Sequence, residues 1–171
     1  GGGEESVRRA RALLDAGARV HVVSESPDAA LHDLAREGAV SLSPRGFEDR
    51  DLDGVWLAVL TDLNATLAER MARLAEAARV LFCAVDQPKF ANYSHPALAR
   101  SGPVTIAIST YGRAPALARR LREELERVLL AADLGNFAER LGALRDRGPQ
   151  VERRGILGEA VHGVELRGAL V

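Results

Sequence analysis

The first six residues, GGGEES, place glycines at positions 1 and 3 and a serine at position 6, which is the spacing of a G-x-G-x-x-G turn. In such a turn the first glycine permits a tight bend and the second lets the backbone approach a pyrophosphate; the third position needs only a small side chain. Serine meets that last requirement. The pattern predicts a dinucleotide-binding turn, although three glycines are also typical of a flexible terminus or a tag remnant.

A carboxylate follows at the distance that such a turn requires. Glu25 lies nineteen residues beyond Ser6, at the end of the next predicted strand, where an acidic side chain would bind a ribose 2′-hydroxyl and favour NAD over NADP. Ser24 is the alternative residue for the same contact. The predicted cofactor-binding residues are Gly1, Gly2, Gly3, Glu4, Ser24, Glu25, Thr61 and Asp62.

Asp86 is a second carboxylate at the end of a strand. It closes the apolar run RVLFCAVD, and open α/β sheets bind their ligands at the carboxyl edge of such strands. A carboxylate at this edge could take a proton from a bound substrate. It could equally cap a turn before Pro88, as aspartates after strands often do. The residues alone leave both interpretations open.

Composition and charge narrow the class of partner. The chain has 171 residues, 47% of them hydrophobic and 27% charged, which is typical of a folded globular domain. Its formal net charge of -1 offers no general attraction for nucleic acid or an anionic membrane, so we expect small-molecule partners. Cys83 is the only cysteine, which excludes disulfides within the chain and fits a cytoplasmic location. No stretch is long and apolar enough to span a membrane.

The elements that must position these residues alternate along the first half of the chain. Helical spacing of apolar residues over 6–16 is followed by a strand in ARVHVVS, a helix beginning at Pro27 and Asp28, and a strand in AVSLS. DGVWLAVLT and RVLFCAVD then predict strands covered on both faces, separated by the helix LNATLAERMARLAEAA. This order predicts an α/β protein with a Rossmann-like parallel sheet.

The opening turn raises a topological problem, because a phosphate-binding turn normally follows a buried central strand. Without that strand, the neighbouring strands would be unpaired along their inner edges. We therefore expect a strand to precede Gly1. The alternative is that the tail VELRGALV folds back into the gap.

The pattern changes after Asp86. Two prolines and a Ser-Gly-Pro turn precede an alternating run, VTIAIS, which predicts a half-exposed antiparallel strand. Pro115 then begins a long helix, and further helical patterns follow it. We predict a NAD-binding Rossmann-like domain over residues 1–88, a dimerisation and substrate segment over 89–112, and a helical domain over 113–171.

Four segments resemble one family, the N-terminal domain of siroheme synthases, which are NAD-dependent precorrin-2 dehydrogenases that often also act as sirohydrochlorin ferrochelatases. The segments are GGGEESVRRARALLDAGARVHVVSE, LAVLTDLNATLAERM, FCAVDQPKFANYSHPALARSGPVTIAISTYGRAPALARRLREELE and ERRGIL. The third is the most specific, because no general structural reason brings its parts together. Tyr111 stands where the family usually has a glycine.

The resemblance implies that precorrin-2 is oxidised to sirohydrochlorin with NAD⁺ as hydride acceptor. Asp86 matches the family's catalytic aspartate. Insertion of Fe²⁺ as a second substrate would suit a carboxylate or a neutral imidazole, and His95 is the nearest candidate, although an isolated histidine is more often a hydrogen-bonded surface group. No fixed metal site is predicted. The resemblance also implies a homodimer in which the middle segments of the two chains interlock.

The carboxylates of such a tetrapyrrole substrate need cations and backbone N–H groups. Ser109, Thr110, Gly112 and Arg113 lead into a predicted helix N-terminus, which favours anions, and Lys89 is a further cation. Arg120 and Arg122 fit a solvated helix face better. The competing hypothesis for the whole chain is a non-catalytic NAD(H)-sensing dimer module, which would bind nucleotide without turnover.

Overall fold

The computed structural model describes residues 1–147 and 153–165. It divides into two compact units, Gly1–His95 and Pro96–Val171. The three predicted segments, 1–88, 89–112 and 113–171, stay a prediction, because compactness does not test where segments of different function begin.

The first unit alternates helices and strands as predicted. In chain order its elements are α1 (Glu4–Asp15), β1 (Val20–Val23), α2 (Ala29–Arg36), β2 (Val40–Ser43), a 3-10 helix (Asp49–Leu52), β3 (Leu57–Leu60), α3 (Ala65–Ala78), β4 (Leu81–Ala84) and a second 3-10 helix (Pro88–Phe90). Asp28 caps α2 by accepting the N–H of Ala30, and Asn64 caps α3 by accepting the N–H of Leu67. Local signals in the sequence therefore determine where these helices begin.

The four strands form two parallel pairs. β1 lies beside β2 with Val23 opposite Ser43, and β3 lies beside β4 with Leu60 opposite Ala84. Within residues 1–147 and 153–165 the pairs remain separate two-stranded sheets, so the inner edges expected to lack a partner do lack one there. The alternative filled this gap with residues 164–171, of which 166–171 lie outside the described residues.

Each strand pair has its own apolar core. Val7, Ala10, Val22, Leu31 and Val40 form the first, between α1, α2 and the β1–β2 pair. The second lies under α3 and contains Leu52, Leu60, Ala68, Met71, Ala75, Val80, Phe82 and Ala84. Phe82 is fully buried, which stabilises this core by about 2–3 kcal/mol. The candidate site lies at the carboxyl ends of the strands that cover these two cores.

One detail of the sequence prediction is wrong. The run DGVWLAVLT was expected to be covered on both faces, yet Trp56 is 89% exposed. β3 begins only at Leu57, and the buried end of that strand is Leu60. An apolar run in the sequence therefore extends beyond the part of the strand that the core covers.

The second unit contains a hairpin and three helices. β5 (Ala97–Ser101) pairs antiparallel with β6 (Val104–Ile108), and α4 (Pro115–Ala131), α5 (Leu134–Arg147) and α6 (Arg153–Val161) follow. β6 was predicted but β5 was not, because ALARS has few residues that favour strands. Gly102 has a φ of 53° in the hairpin turn, and its backbone lies so close to Gly135 that a Cβ on Gly135 would be 2.9 Å from the Gly102 nitrogen. No helix of the described residues is long and apolar enough to cross a membrane.

Candidate functional site

The three opening glycines differ in what surrounds them. A Cβ on Gly1 would lie 2.0 Å from Thr61 Oγ1, and a Cβ on Gly2 would lie 2.5 Å from the backbone oxygen of Ser26. A Cβ on Gly3 would meet nothing within 4 Å. Gly3 has a φ of -83°, which any residue can adopt. Packing within the protein therefore explains the first two glycines, while Gly3 borders open space that a ligand can enter.

The N-terminus of α1 opens on the same space. Gly3 is its N-cap and supplies no side-chain acceptor; its backbone oxygen accepts the N–H groups of Ser6 and Val7 at 2.9 and 3.2 Å. In the described part of the chain, the N–H groups of Glu4 and Glu5 have no acceptor. Free N–H groups and the helix dipole favour a pyrophosphate here. Because the carboxylate of Glu4 repels an anion, this residue can contribute only through its backbone.

Ser6 is more than a small residue at the third position of the turn. It is 7% exposed, and its Oγ lies 2.6 Å from Thr61 Oγ1. This hydrogen bond joins α1 to the carboxyl end of β3, across the two cores. Asp62 follows Thr61, with one carboxylate oxygen 3.6 Å from the Gly1 nitrogen. Thr61 and Asp62 thus lie beside the glycine turn, and their contact with a cofactor stays a prediction.

Glu25 and Ser24 occupy the carboxyl end of β1 as expected. Ser24 Oγ already accepts the N–H of Ser26 at 3.2 Å. The carboxylate of Glu25 is exposed and lies against Gly46, where a Cβ would be 3.1 Å from Glu25 Oε1. In the described residues this carboxylate has no ion pair. The geometry favours Glu25 over Ser24 as the acceptor for a ribose hydroxyl.

The sequence analysis missed an ion pair that involves Arg45, the residue before Gly46. Arg45 donates from Nη1 and Nη2 to the two oxygens of Asp51, at 2.8 and 2.7 Å. Asp51 Oδ2 also accepts the N–H of Glu48 at 2.8 Å. The hydrogen bonds from Arg45 lower the pKa of Asp51 to about 2. Arg45 lies in the loop after β2 and Asp51 in a short 3-10 helix, so no regular spacing signalled the pair.

The ion pair between Arg45 and Asp51 should make the unfolding free energy of the first unit fall at low pH. A lowered carboxyl pKa adds stability that is complete above the unfolded value of 3.8 and is lost as the pH falls through about 2. We expect about 2 kcal/mol of unfolding free energy from this source to disappear between about pH 5 and pH 2. Urea unfolding of the native protein and of Asp51→Asn over this range measures it. Asp53→Asn, which changes an exposed neighbour, is the control, and parallel pH curves for the native protein and Asp51→Asn would contradict the expectation.

Asp86 occupies a tight turn at the carboxyl end of β4. Its φ is 57°, and the N–H of Gln87 donates to the oxygen of Ala84 at 3.2 Å, which closes a turn with Asp86 in its third position. Glycine most often fills such a position, and asparagine and aspartate are the other residues that adopt this left-handed conformation readily. Asp86 is exposed and, within the described residues, its carboxylate accepts no hydrogen bond. The carboxylate is therefore free instead of capping the turn before Pro88.

The segment after Asp86 is anchored by side chains that the sequence analysis did not single out. Gln87 Nε2 donates to the oxygen of Asp62 at 3.0 Å, which holds the Asp86 turn beside the end of β3. Asn92 accepts the N–H of Phe82 at 2.6 Å and donates to the oxygen of Val80 at 3.1 Å. An amide that pairs with the outer edge of β4 fixes the loop between Asp86 and His95. The only sequence signal for this anchor was an asparagine in a proline-containing loop.

His95 lies at the end of this loop in a half-buried environment. Its ring packs edge-on against Tyr93 with centroids 4.9 Å apart, and the Tyr93 hydroxyl is 3.4 Å from Nδ1. Nε2 is buried without a hydrogen-bond partner in the described residues. Burial, and then the charge of Arg9, lower the pKa of His95. The imidazole is therefore mainly neutral at pH 7 and keeps one nitrogen lone pair.

The other candidates are placed as follows. Cys83 is buried and burial raises its pKa, as expected of a core thiol. The Lys89 ammonium lies 4.6 Å from the centre of the Phe90 ring, a cation–π contact that partly occupies it. In the described residues no group of three or more His, Cys, Asp or Glu side chains could hold a metal ion.

The predicted anion-binding loop lies in the second unit. Ser109 Oγ accepts the N–H of Tyr111 at 3.2 Å, and Thr110 Oγ1 accepts the N–H of Ala114 at 3.3 Å. Tyr111 is 92% exposed with a φ of 52°, and Gly112 has a φ of 73°. The positive φ explains why a glycine would suit position 111. The side chain of Arg113 is exposed and has no ion pair in the described part of the chain.

Arg120 and Arg122 both form ion pairs four residues apart along α4. Arg120 pairs with Glu124, and Arg122 donates to Glu126 at 2.7 Å. The Arg120 side chain is 65% exposed, which fits the predicted solvated helix face, whereas that of Arg122 is only 32% exposed. Binding of an anionic substrate by Ser109, Thr110, Gly112, Arg113 and Lys89 stays a prediction.

Comparison with known families finds two matches along the chain. Residues 1–97 match a family model described as "Putative NAD(P)-binding". Residues 101–127 match one described as the central part of a sirohaem biosynthesis protein. The first match spans the whole of the first unit, and the second spans the part of the second unit from residue 101 to residue 127.

Curated relatives and a solved structure agree with these matches. The chain is 40% identical to siroheme synthase 3 of Aeromonas hydrophila and 41% identical to siroheme synthase 1 of Aeromonas salmonicida, in each case over 86% of this chain and 31% of the relative. The chain thus spans about a third of the length of these relatives. The solved structure of SirC, a precorrin-2 dehydrogenase, matches 94% of this chain and 81% of its own with a TM-score of 0.75 and 20% identity, which shows a shared fold.

Proposed function

The chain belongs to the NAD(P)-binding family, and we propose that it oxidises precorrin-2 to sirohydrochlorin with NAD⁺ as hydride acceptor. The siroheme synthases that it resembles support this substrate, and so does the match of residues 101–127 to the sirohaem family. Because the chain corresponds to about a third of those relatives, their whole activity does not transfer with the likeness. The proposal therefore begins with the dehydrogenation step and argues any further step separately from this chain's own residues.

The residues of the first unit fit the cofactor. Gly3 borders open space at the uncapped N-terminus of α1, where the pyrophosphate would bind, and Glu25 offers a free carboxylate to the ribose. Bound NAD⁺ would supply a two-electron acceptor for hydride. A carboxylate beyond β1 favours NAD over NADP, because it would repel a 2′-phosphate.

The observation that carries the proposal is the position of Asp86. A carboxylate without a hydrogen-bond partner in the described residues lies at the carboxyl edge of β4, and Gln87 ties its turn to Asp62 beside the glycine turn. Open α/β sheets bind their ligands at this edge. Oxidation removes a hydride and a proton from precorrin-2, and Asp86 would accept the proton while the hydride leaves with the cofactor.

Anaerobic incubation of the protein with precorrin-2 and NAD⁺ tests the proposal. Sirohydrochlorin and NADH should form in equal amounts, and faster than without protein. NADH binding without turnover would instead indicate the competing NAD(H)-sensing module.

We also propose that the protein is a homodimer that acts on this tetrapyrrole in the cytoplasm. Sedimentation measures the oligomeric state, and cell fractionation measures the location.

A second step, insertion of Fe²⁺ into sirohydrochlorin, is proposed for His95. Nε2 is buried without a partner in the described residues, on a ring whose pKa is lowered, so it would accept a pyrrole proton or contact the incoming metal once substrate binding uncovers it. We expect His95→Gln to lower metal uptake at least about tenfold while dehydrogenation persists. Uptake of Fe²⁺ or Co²⁺ into sirohydrochlorin is followed by absorbance, with His32→Gln, which changes a histidine on α2, as the control. Equal uptake rates for both variants and the native protein would remove His95 from this step.

A further inference from the structure

Glu25 and Arg45 each lie two residues beyond the end of one strand of the parallel β1–β2 pair, in which Val23 is opposite Ser43. The loop after β2 comes close to Glu25, because a Cβ on Gly46, the residue after Arg45, would be 3.1 Å from Glu25 Oε1. The Ser24 and Arg45 N–H groups both donate to the oxygen of Ser43, at 3.1 and 2.9 Å. Arg45 therefore immediately precedes the residue whose backbone lies against the Glu25 carboxylate.

The Arg45 side chain is directed elsewhere. Its guanidinium binds both oxygens of Asp51 and donates to the oxygen of Gly46 at 2.9 Å. Asp51 is well placed to hold it, because its side chain is 9% exposed and its Oδ2 is fixed by the N–H of Glu48. Glu48 adds a weaker attraction, with Oε1 3.9 Å from Arg45 Nε. Glu25 is left without a cation in the described residues.

We propose that Asp51 is a positioning residue that sets the dinucleotide preference of this chain by holding Arg45 away from Glu25. With Arg45 held, Glu25 keeps its full negative charge, accepts the ribose hydroxyls of NAD and repels the 2′-phosphate of NADP. If Arg45 were released, it would neutralise Glu25 and provide a cation for that phosphate. The preference for NAD over NADP would therefore depend on the Arg45–Asp51 ion pair, which does not itself contact the cofactor. This inference rests on the proposed use of NAD.

The test compares NADH and NADPH affinities, measured by titration of the intact chain with each nucleotide. Asp51→Asn keeps the size of the side chain and one oxygen for the Glu48 N–H, but removes the charge that holds Arg45. We expect the preference for NADH over NADPH to fall at least about tenfold. Asp53→Asn, at an exposed site in the same segment, should leave the preference unchanged.

A second variant separates positioning from simple loss of structure. Arg45→Met removes the cation, so Asp51→Asn should have no effect on the preference in that background. If the preference falls equally with and without Arg45, or does not change in Asp51→Asn, the inference is wrong.

If the native protein binds neither nucleotide, the proposed function itself fails. If Asp51→Asn does not fold, Arg45→Glu is the substitute, and it should leave NADPH binding as weak as in the native protein; a gain in NADPH affinity would overturn the inference.

Discussion

Asp86→Asn is expected to lower the rate of precorrin-2 oxidation by about 10²- to 10⁴-fold while the protein stays folded. The substitution removes the group that would take the proton but keeps the shape of the side chain. Asparagine also tolerates the left-handed conformation at a φ of 57° better than most residues. It is therefore a cleaner replacement than alanine, which would add backbone strain to the loss of the carboxylate.

The measurement is the initial rate of NADH formation with saturating NAD⁺, together with NADH affinity and thermal unfolding. Nucleotide affinity and unfolding temperature should change little, because the Asp86 carboxylate makes no hydrogen bond in the described residues. Asp15→Asn, at the exposed end of α1, is the matched control for loss of one negative charge. A rate within threefold of the native protein would exclude Asp86 as the proton acceptor.

The second large effect is expected from Gly2→Ala and Gly3→Ala, two single substitutions that each add one methyl group to the glycine turn. Gly2→Ala places a Cβ 2.5 Å from the oxygen of Ser26 and 3.0 Å from the Pro27 Cα, both backbone atoms that cannot move separately from the chain. We expect it to destabilise the first unit by about 1–3 kcal/mol and to weaken dinucleotide binding as the turn shifts. Thermal unfolding and NADH titration measure both effects.

Gly3→Ala should separate these two effects. Its Cβ meets no protein atom within 4 Å and its φ suits alanine, so stability should stay within about 0.5 kcal/mol of the native value. The methyl group would nevertheless occupy the space through which a pyrophosphate approaches the backbone, and NADH affinity should fall at least about tenfold. Native affinity in Gly3→Ala would mean that the pyrophosphate does not bind over this turn.

The site of the first unit is built where its two cores come together. The Ser6–Thr61 hydrogen bond, the bond from Gln87 to Asp62 and the close contact of Gly1 with Thr61 all cross from one strand pair to the other. Glu25 belongs to the first pair, while Asp86 and His95 follow the second. A change in the relative position of the two pairs would therefore move the predicted cofactor residues relative to the predicted proton acceptor.

Much of this arrangement was predictable because its signals are local. The periodicity of apolar residues predicted the helices and the parallel strands, and turn chemistry predicted the start of α2 at Asp28 and the turn at Gly102. The positions of Glu25 and Asp86 followed from counting residues to the ends of strands. β5 escaped prediction because its residues have weak strand preferences and pair only once β6 is present.

The sequence by itself determined the alternation of elements, the glycine turn and the carboxylates at the strand ends, because each depends on neighbours a few residues away. Tertiary structure alone decided that Ser6 binds Thr61, that Asn92 holds the edge of β4 and that Arg45 pairs with Asp51 instead of Glu25. Side-chain partners of this kind are chosen by packing and by competition between charges. Neither leaves a periodic trace in the order of residues.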